Sequence, residues 1–262
     1  MASKETCMAK NKWWRVSWKR VGLTLLLIFV GLWLLYPLTM DLLVLYFAHE
    51  TAREHPLVAL VPQLLTDTRR ADLRDGVTVS RFGYSLQVPW TKVKAKNDLK
   101  TVTMVDFDDG SRMLLFDPAT QADMVSQMGE LKPAQAKIMR EVFSNGELTS
   151  HYDFAKATLE ANPTDMSIFH SRKRNTRTLT LLETKFMYIV QDPSVIYSVS
   201  AGRMRGFQSG DPQKSPMFIQ LFLFDPKDHM LQLILNGPRG STQPVLTQEQ
   251  INAMIASVRP PD

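Results

Sequence analysis

Residues Thr101–Phe116, TVTMVDFDDGSRMLLF, hold the clearest local signal in the chain. Two runs rich in apolar residues, 101–107 and 112–116, flank Asp108-Asp109-Gly110. A hairpin needs backbone at positive φ in its tight turn, and glycine enters that region without a Cβ penalty. Asp-Gly between such runs therefore predicts an antiparallel hairpin. Upstream, Val77-Thr78-Val79 and Phe82–Val88 alternate apolar with polar residues, the period of a half-buried strand, and Pro89 ends the second run.

Downstream the period changes. Residues 120–128 are helix-like, and Pro133 is placed to open a helix whose stripe is Ile138, Met139, Val142 and Phe143, ending at Asn145-Gly146. Ser150 and Asp153 form a capping pair for a helix carrying Tyr152, Ala155 and Leu159. Asn162-Pro163 ends it, and Thr164 is placed to cap the next. Leu179, Leu182, Phe186, Ile189 and Val190 recur at helical spacing, although residues 176–180 have strand-like propensity. Strands return at 195–200, 204–208, 217–224 and 230–235. The third is almost entirely apolar, as a central strand covered on both faces would be. Thr247 and Gln250 make a capping-box pattern for a last helix with Ile251, Met254, Ile255 and Val258 on one face. Strands, a helical block, strands and a helix predict an α+β domain: an antiparallel sheet with packed helices and a helical insertion.

Ahead of this domain stands Val21–Met40, VGLTLLLIFVGLWLLYPLTM, without a charged residue. As a helix it spans about 30 Å, the thickness of a bilayer's hydrocarbon core, with its own amides satisfied internally. Six basic residues (Lys4, Lys10, Lys12, Arg15, Lys19, Arg20) and only Glu5 precede it. By the positive-inside rule the N-terminus is predicted cytoplasmic and the domain extracytoplasmic, periplasmic in a bacterium. Trp13, Trp14 and Trp18 suit the headgroup zone. The rival is a cleaved signal peptide, but the apolar region is long for one and Tyr46-Phe47-Ala48 is a poor small-x-small site. The register that leaves Asp41 at the outer interface avoids an intramembrane acid. Gly22 and Gly31 do not form GxxxG. The expected organisation is a cytoplasmic tail (1–20), a transmembrane helix with interfacial extension (21–47), a linker (48–75) and the domain (76–262). Within the linker, the charged run 67–75 reads as linker or solvated helix, and 57–61 with 64–65 lie against membrane or domain.

The net charge of +5 belongs to the first twenty residues; the remainder carries 25 basic and 25 acidic residues. That removes the sustained positive field nucleic-acid binding needs. Cys7, the single cysteine, excludes an intrachain disulfide. There is no GxSxG, P-loop, GxGxxG or HExxH, and no cofactor or metal is implied. His49, Glu50 and His55 lack the further ligands of a closed zinc site. His151, His170 and His229 are far apart in sequence.

The sharpest charge feature is Ser171–Arg177, where Arg172, Lys173, Arg174 and Arg177 are candidate contacts for an acidic partner or lipid headgroups. Its bland reading is a solvated helix face. Arg203 and Arg205 on an expected hairpin add a second small basic feature.

Phe82-Gly83-Tyr84-Ser85-Leu86-Gln87-Val88-Pro89-Trp90 resembles the opening strand of the Mog1/PsbP-like superfamily, and Ile251–Val258 resembles that group's last helix. The resemblance covers residues 77–116 and 195–258 and leaves 120–190 as an insertion. It implies a binding or assembly module without a shared catalytic site, and carries over no functional residue. Two classes of function follow. A membrane-tethered assembly module predicts an exposed apolar or charged patch and no convergent polar pocket. An envelope enzyme of hydrolase type predicts a deep pocket that brings a histidine and a carboxylate within hydrogen-bond reach.

Overall fold

The computed structural model describes residues 26, 29–31, 36, 39, 42–50, 52–119, 150–189, 195–214, 217–241 and 245–261. The expected helices at 120–128 and 133–146 lie outside these residues, as do Asp41 and most of the expected membrane span. Among the described residues no helix is long and apolar enough to cross a membrane. The described positions from 26 to 50 are all helical.

The domain is α+β. Its strands are β1 (Gln63–Leu64), β2 (Val77–Arg81), β3 (Tyr84–Val88), β4 (Val93–Asp98), β5 (Val102–Phe107), β6 (Arg112–Phe116), β7 (Ile196–Ala201), β8 (Met204–Ser209), β9 (Phe218–Phe224) and β10 (Met230–Asn236). Three helices are α1 (His151–Glu160), α2 (Arg172–Tyr188) and α3 (Gln248–Ser257). Eight strands form one sheet in the order β1-β7-β8-β9-β10-β6-β5-β4, and β2 with β3 makes a separate hairpin. The sheet is mixed rather than wholly antiparallel. Gln63–Leu64 pairs parallel with Tyr197 and Ser198, whereas the other pairings are antiparallel. A two-residue edge strand, held from the next strand by more than a hundred residues, has no alternating pattern to betray it.

The turn at 108–110 joins β5 to β6 as expected. Gly110 has φ +85°, and Phe107 and Ser111 pair across a three-residue loop. The earlier hairpin differs in its start: Phe82 and Gly83 are the turn, both at positive φ, so β3 begins at Tyr84. Positive φ is an outlier conformation for phenylalanine. Here Gly83 follows it, and the Arg81 guanidinium stacks 5.0 Å from the Phe82 ring.

The sheet is covered on both sides. Leu221, Leu223, Leu231, Leu233 and Leu235 pack with Ile251, Met254 and Ile255 of α3 and with the β2–β3 hairpin. Phe207, Phe222, Phe224 and Met230 pack with Phe154, Leu159, Leu182 and Tyr188 of α1 and α2. Period-2 geometry puts alternate residues of β9 on opposite faces, so a strand covered twice is apolar throughout. Gly206 lets β8 approach β9, since a Cβ there would sit 1.8 Å from the Phe222 carbonyl oxygen.

The caps agree with expectation at α1, where Ser150 accepts from the Asp153 amide, and at α3, where Thr247 and Gln250 form a reciprocal box. Thr164 caps nothing. Asn162 caps a 3-10 turn, Pro163–Asp165, and Ser171 caps α2. The run 67–75 is neither helical nor detached. Asn252 of α3 donates to the carbonyls of Asp67 and Arg69, and Leu73 is buried in the core.

Candidate functional site

The basic run begins α2. Arg172 is its first residue, Lys173 and Arg174 are exposed, and Arg177 is half-buried. Asn175 and Thr178, in the same two turns, are buried. The first turn of α2 holds no acidic residue. Its cations stand at the positive end of the helix dipole, where an anion would be the stabilising partner.

The bend before the helix is fixed by Asn175. Its Nδ2 donates to the Ser167 carbonyl at 2.8 Å and its Oδ1 accepts from the Ser167 amide at 3.3 Å. His170 Nδ1 lies 3.0 Å from the Asp165 carbonyl oxygen on the same bend. Held in this way, the bend turns two large apolar residues outward. Ile168 is 46% exposed and Phe169 is 90% exposed. An apolar tip thus directly precedes a basic helix turn. Sequence reasoning found the cations and missed the tip, because Ile168-Phe169 inside a polar segment carries no periodicity.

The segment leading into the domain packs against the same helix. Ala48 and Val58 are buried with Leu181 and Leu182 in the helix-side core. Val44, Phe47, Ala48, Val58, Leu179 and Leu182 line an apolar groove of about 250 Å³. Lys185 secures the segment. Its side chain is 1% exposed, and Nζ donates to the carbonyls of Val58 (3.2 Å), Ala161 (3.0 Å) and Leu60. The 3-10 turn Pro56–Ala59 and the C-cap of α1 leave these carbonyls without helical amides to bind. Burial pulls the Lys185 ammonium down to about 8, with Asp165 acting in the other direction. The one sequence signal for this role was a lysine three residues beyond Leu182, on the apolar side of the helix.

The fold brings histidines and carboxylates together at the β9–β10 turn. Asp225 is buried; it accepts from the Tyr84 hydroxyl at 2.9 Å, the amides of Lys227 and His229 at 2.8 and 2.9 Å, and stands 3.1 Å from His229 Nδ1. Burial pushes its carboxyl up, but the His229 amide, the Tyr84 hydroxyl and the His229 ring outweigh it and hold the pKa below the usual aspartate range. Burial and the same hydrogen bond raise the Tyr84 phenol. Asp228, at φ +65°, accepts from the first amides of α1, on His151 and Tyr152. Both carboxylates are occupied with fixing the turn, one against the β2–β3 hairpin and one against α1. Arg205 is engaged too, 4.0 Å over the Tyr152 ring, while Arg203 stands exposed in the β7–β8 turn.

A larger groove of about 680 Å³ lies at the other end of the sheet. Lys94, Arg112 and Arg239 line it with Asp106, which is paired to Arg112 at 2.6 Å. It contains no histidine. Among the described residues no group of three or more His, Cys, Asp or Glu could hold a metal ion. No family model matches this chain, and no curated protein or solved structure matches it either.

Proposed function

We propose that the chain is a single-pass membrane protein whose extracytoplasmic domain is a non-catalytic binding or assembly module for a protein partner in the envelope. The observation that carries this reading is the way residues 44–60 join the domain. A charge-free apolar run with a basic N-terminal flank leads into a segment that the domain buries through Ala48 and Val58 and grips through Lys185. An anchor continuous with the core would hold the domain close to the bilayer in one orientation, which suits assembly more than free diffusion to substrates. Leu26, Phe29, Val30 and Tyr36, within the apolar run, are helical and exposed, as lipid-facing positions are.

A Mog1/PsbP-like core is part of the same proposal. The two segments that suggest it lie together: Ser85 and Arg259 pair across a bridge, and the Gln87 amide donates to Ser257 at 2.8 Å. The enzyme reading draws on His229 and Asp225, which are within hydrogen-bond reach, but Asp225 spends its acceptor capacity inside the fold.

Crosslinking in native membranes, followed by identification of what is captured, tests the assembly reading. A reproducible envelope protein partner supports it. A turnover activity abolished by His229→Ala, with no partner captured, overturns it in favour of an enzyme.

A further inference from the structure

We infer that the bend and first turn of α2, from Ile168 to Arg174, form a second membrane contact, in which Phe169 enters the headgroup layer and Lys173 and Arg174 face anionic lipid. This rests on the membrane-anchored reading proposed above. Three observations carry it. Phe169 is the most exposed large apolar residue described, and its exposure is built in, because Asn175 clamps Ser167 on both sides of its amide group. An aromatic and an aliphatic side chain held in water cost free energy that an apolar phase would recover.

The charge of the adjoining turn matches an anionic leaflet. Lys173 and Arg174 are exposed at the positive end of the helix, with no acid in the first turn. An aromatic tip with a basic collar is the composition of an interfacial anchor. The groove that receives the leading segment lies on the same helix. Leu179 lines it with Val44. At 1.5 Å per residue, Lys173 is about 9 Å along α2 from Leu179, and the expected span ends about 6 Å along the leading helix from Val44. The second offset is within the headgroup and interfacial layer, about 5–8 Å on each side of the hydrocarbon, and the first exceeds it slightly. Exposed Leu42, Leu43, Tyr46 and Phe47 extend the apolar surface from the leading helix itself. Apart from Leu99, in the β4–β5 turn, the exposed large apolar residues lie on the leading segment, on β1 and its approach, and on the bend before α2. The bilayer is the one occupant already implied for both.

The test uses the full chain with Cys7→Ser and a single fluorescent label at Phe169→Cys, reconstituted in vesicles of phosphatidylcholine with or without phosphatidylglycerol. Brominated acyl chains serve as the quencher. A second label at Lys100→Cys, in the turn between β4 and β5 at the opposite edge of the sheet from β1, is the control. The account expects several-fold stronger quenching at 169 than at 100. The quenching should depend on phosphatidylglycerol and fall to the control level in Lys173→Gln/Arg174→Gln. A chain that stays in the vesicles through a carbonate wash while the label at 169 remains unquenched overturns the second contact and leaves the anchor standing. Equal quenching in neutral vesicles overturns the assignment to anionic lipid. Loss of the chain to the wash overturns the anchor, and this inference with it. Circular dichroism of each variant confirms that it is folded.

Discussion

At the scale of single residues, the fold depends on a few buried polar groups that tie distant segments together. Lys185 serves three carbonyls from two segments more than a hundred residues apart. Its folded pKa of about 8 lies below the unfolded value of 10.5, so between them the unfolded chain binds the extra proton. Stability then rises as pH climbs through that window and is lost as pH falls through 8, by about 3 kcal/mol in all. Urea titrations from pH 7 to 11 should show that rise in the native chain and lack it in Lys185→Met. The same variant leaves the three carbonyls without a donor, and amide exchange at Val58 and Leu60 should quicken. Asp225 works in the opposite range. Its folded pKa is depressed, so its contribution is present above the unfolded value and disappears as pH falls through the folded one. Asp225→Asn should cost about 1–3 kcal/mol near neutrality through the lost Tyr84 and His229 partners. Its unfolding curve should converge on the native one in acid; a constant difference down to pH 2 would remove the carboxylate from the account.

At the scale of elements, much was legible where the physics is local. The Asp109-Gly110 turn, the Ser150 cap, the Thr247–Gln250 box and the doubly covered β9 all follow from side chains within a few residues of one another. The helix α2 was legible despite threonines at 176, 178 and 180. Thr178, Thr180 and Thr184 each return their hydroxyl to the carbonyl four residues back, which reconciles a strand-favouring residue with the helix. What was not legible depends on partners far along the chain. β4, with Lys94, Lys96, Asn97 and Asp98, is a strand because β5 pairs with it, not through any apolar alternation. The outward Phe169 likewise arises from Asn175, six residues on. Asn175→Ala should therefore destabilise the domain by about 1–3 kcal/mol in thermal unfolding. It should also make chymotrypsin cleavage at Phe169 faster; an unchanged cleavage rate would mean that the bend is fixed by something else.

At the scale of the whole molecule, the strand order places the leading segment and the exposed β4 at opposite edges of one sheet. The edge bearing β1 continues from the segment that Lys185 and the helix-side core hold, and the apolar run precedes it. The far edge carries the groove lined by Lys94, Arg112 and Arg239. Lys94 and Lys96 on β4 also guard that edge against indiscriminate strand pairing. The α+β class could be read from the order of elements. The mixed character of the sheet could not, because it depends on two residues, Gln63 and Leu64, finding β7. Orientation across the bilayer decides whether this arrangement has the meaning proposed for it. A reporter enzyme active only outside the cytoplasm, fused after Asp262, measures it directly. The account predicts full reporter activity with the fusion retained in membranes after carbonate extraction; an inactive, cytosolic or extractable fusion would contradict it.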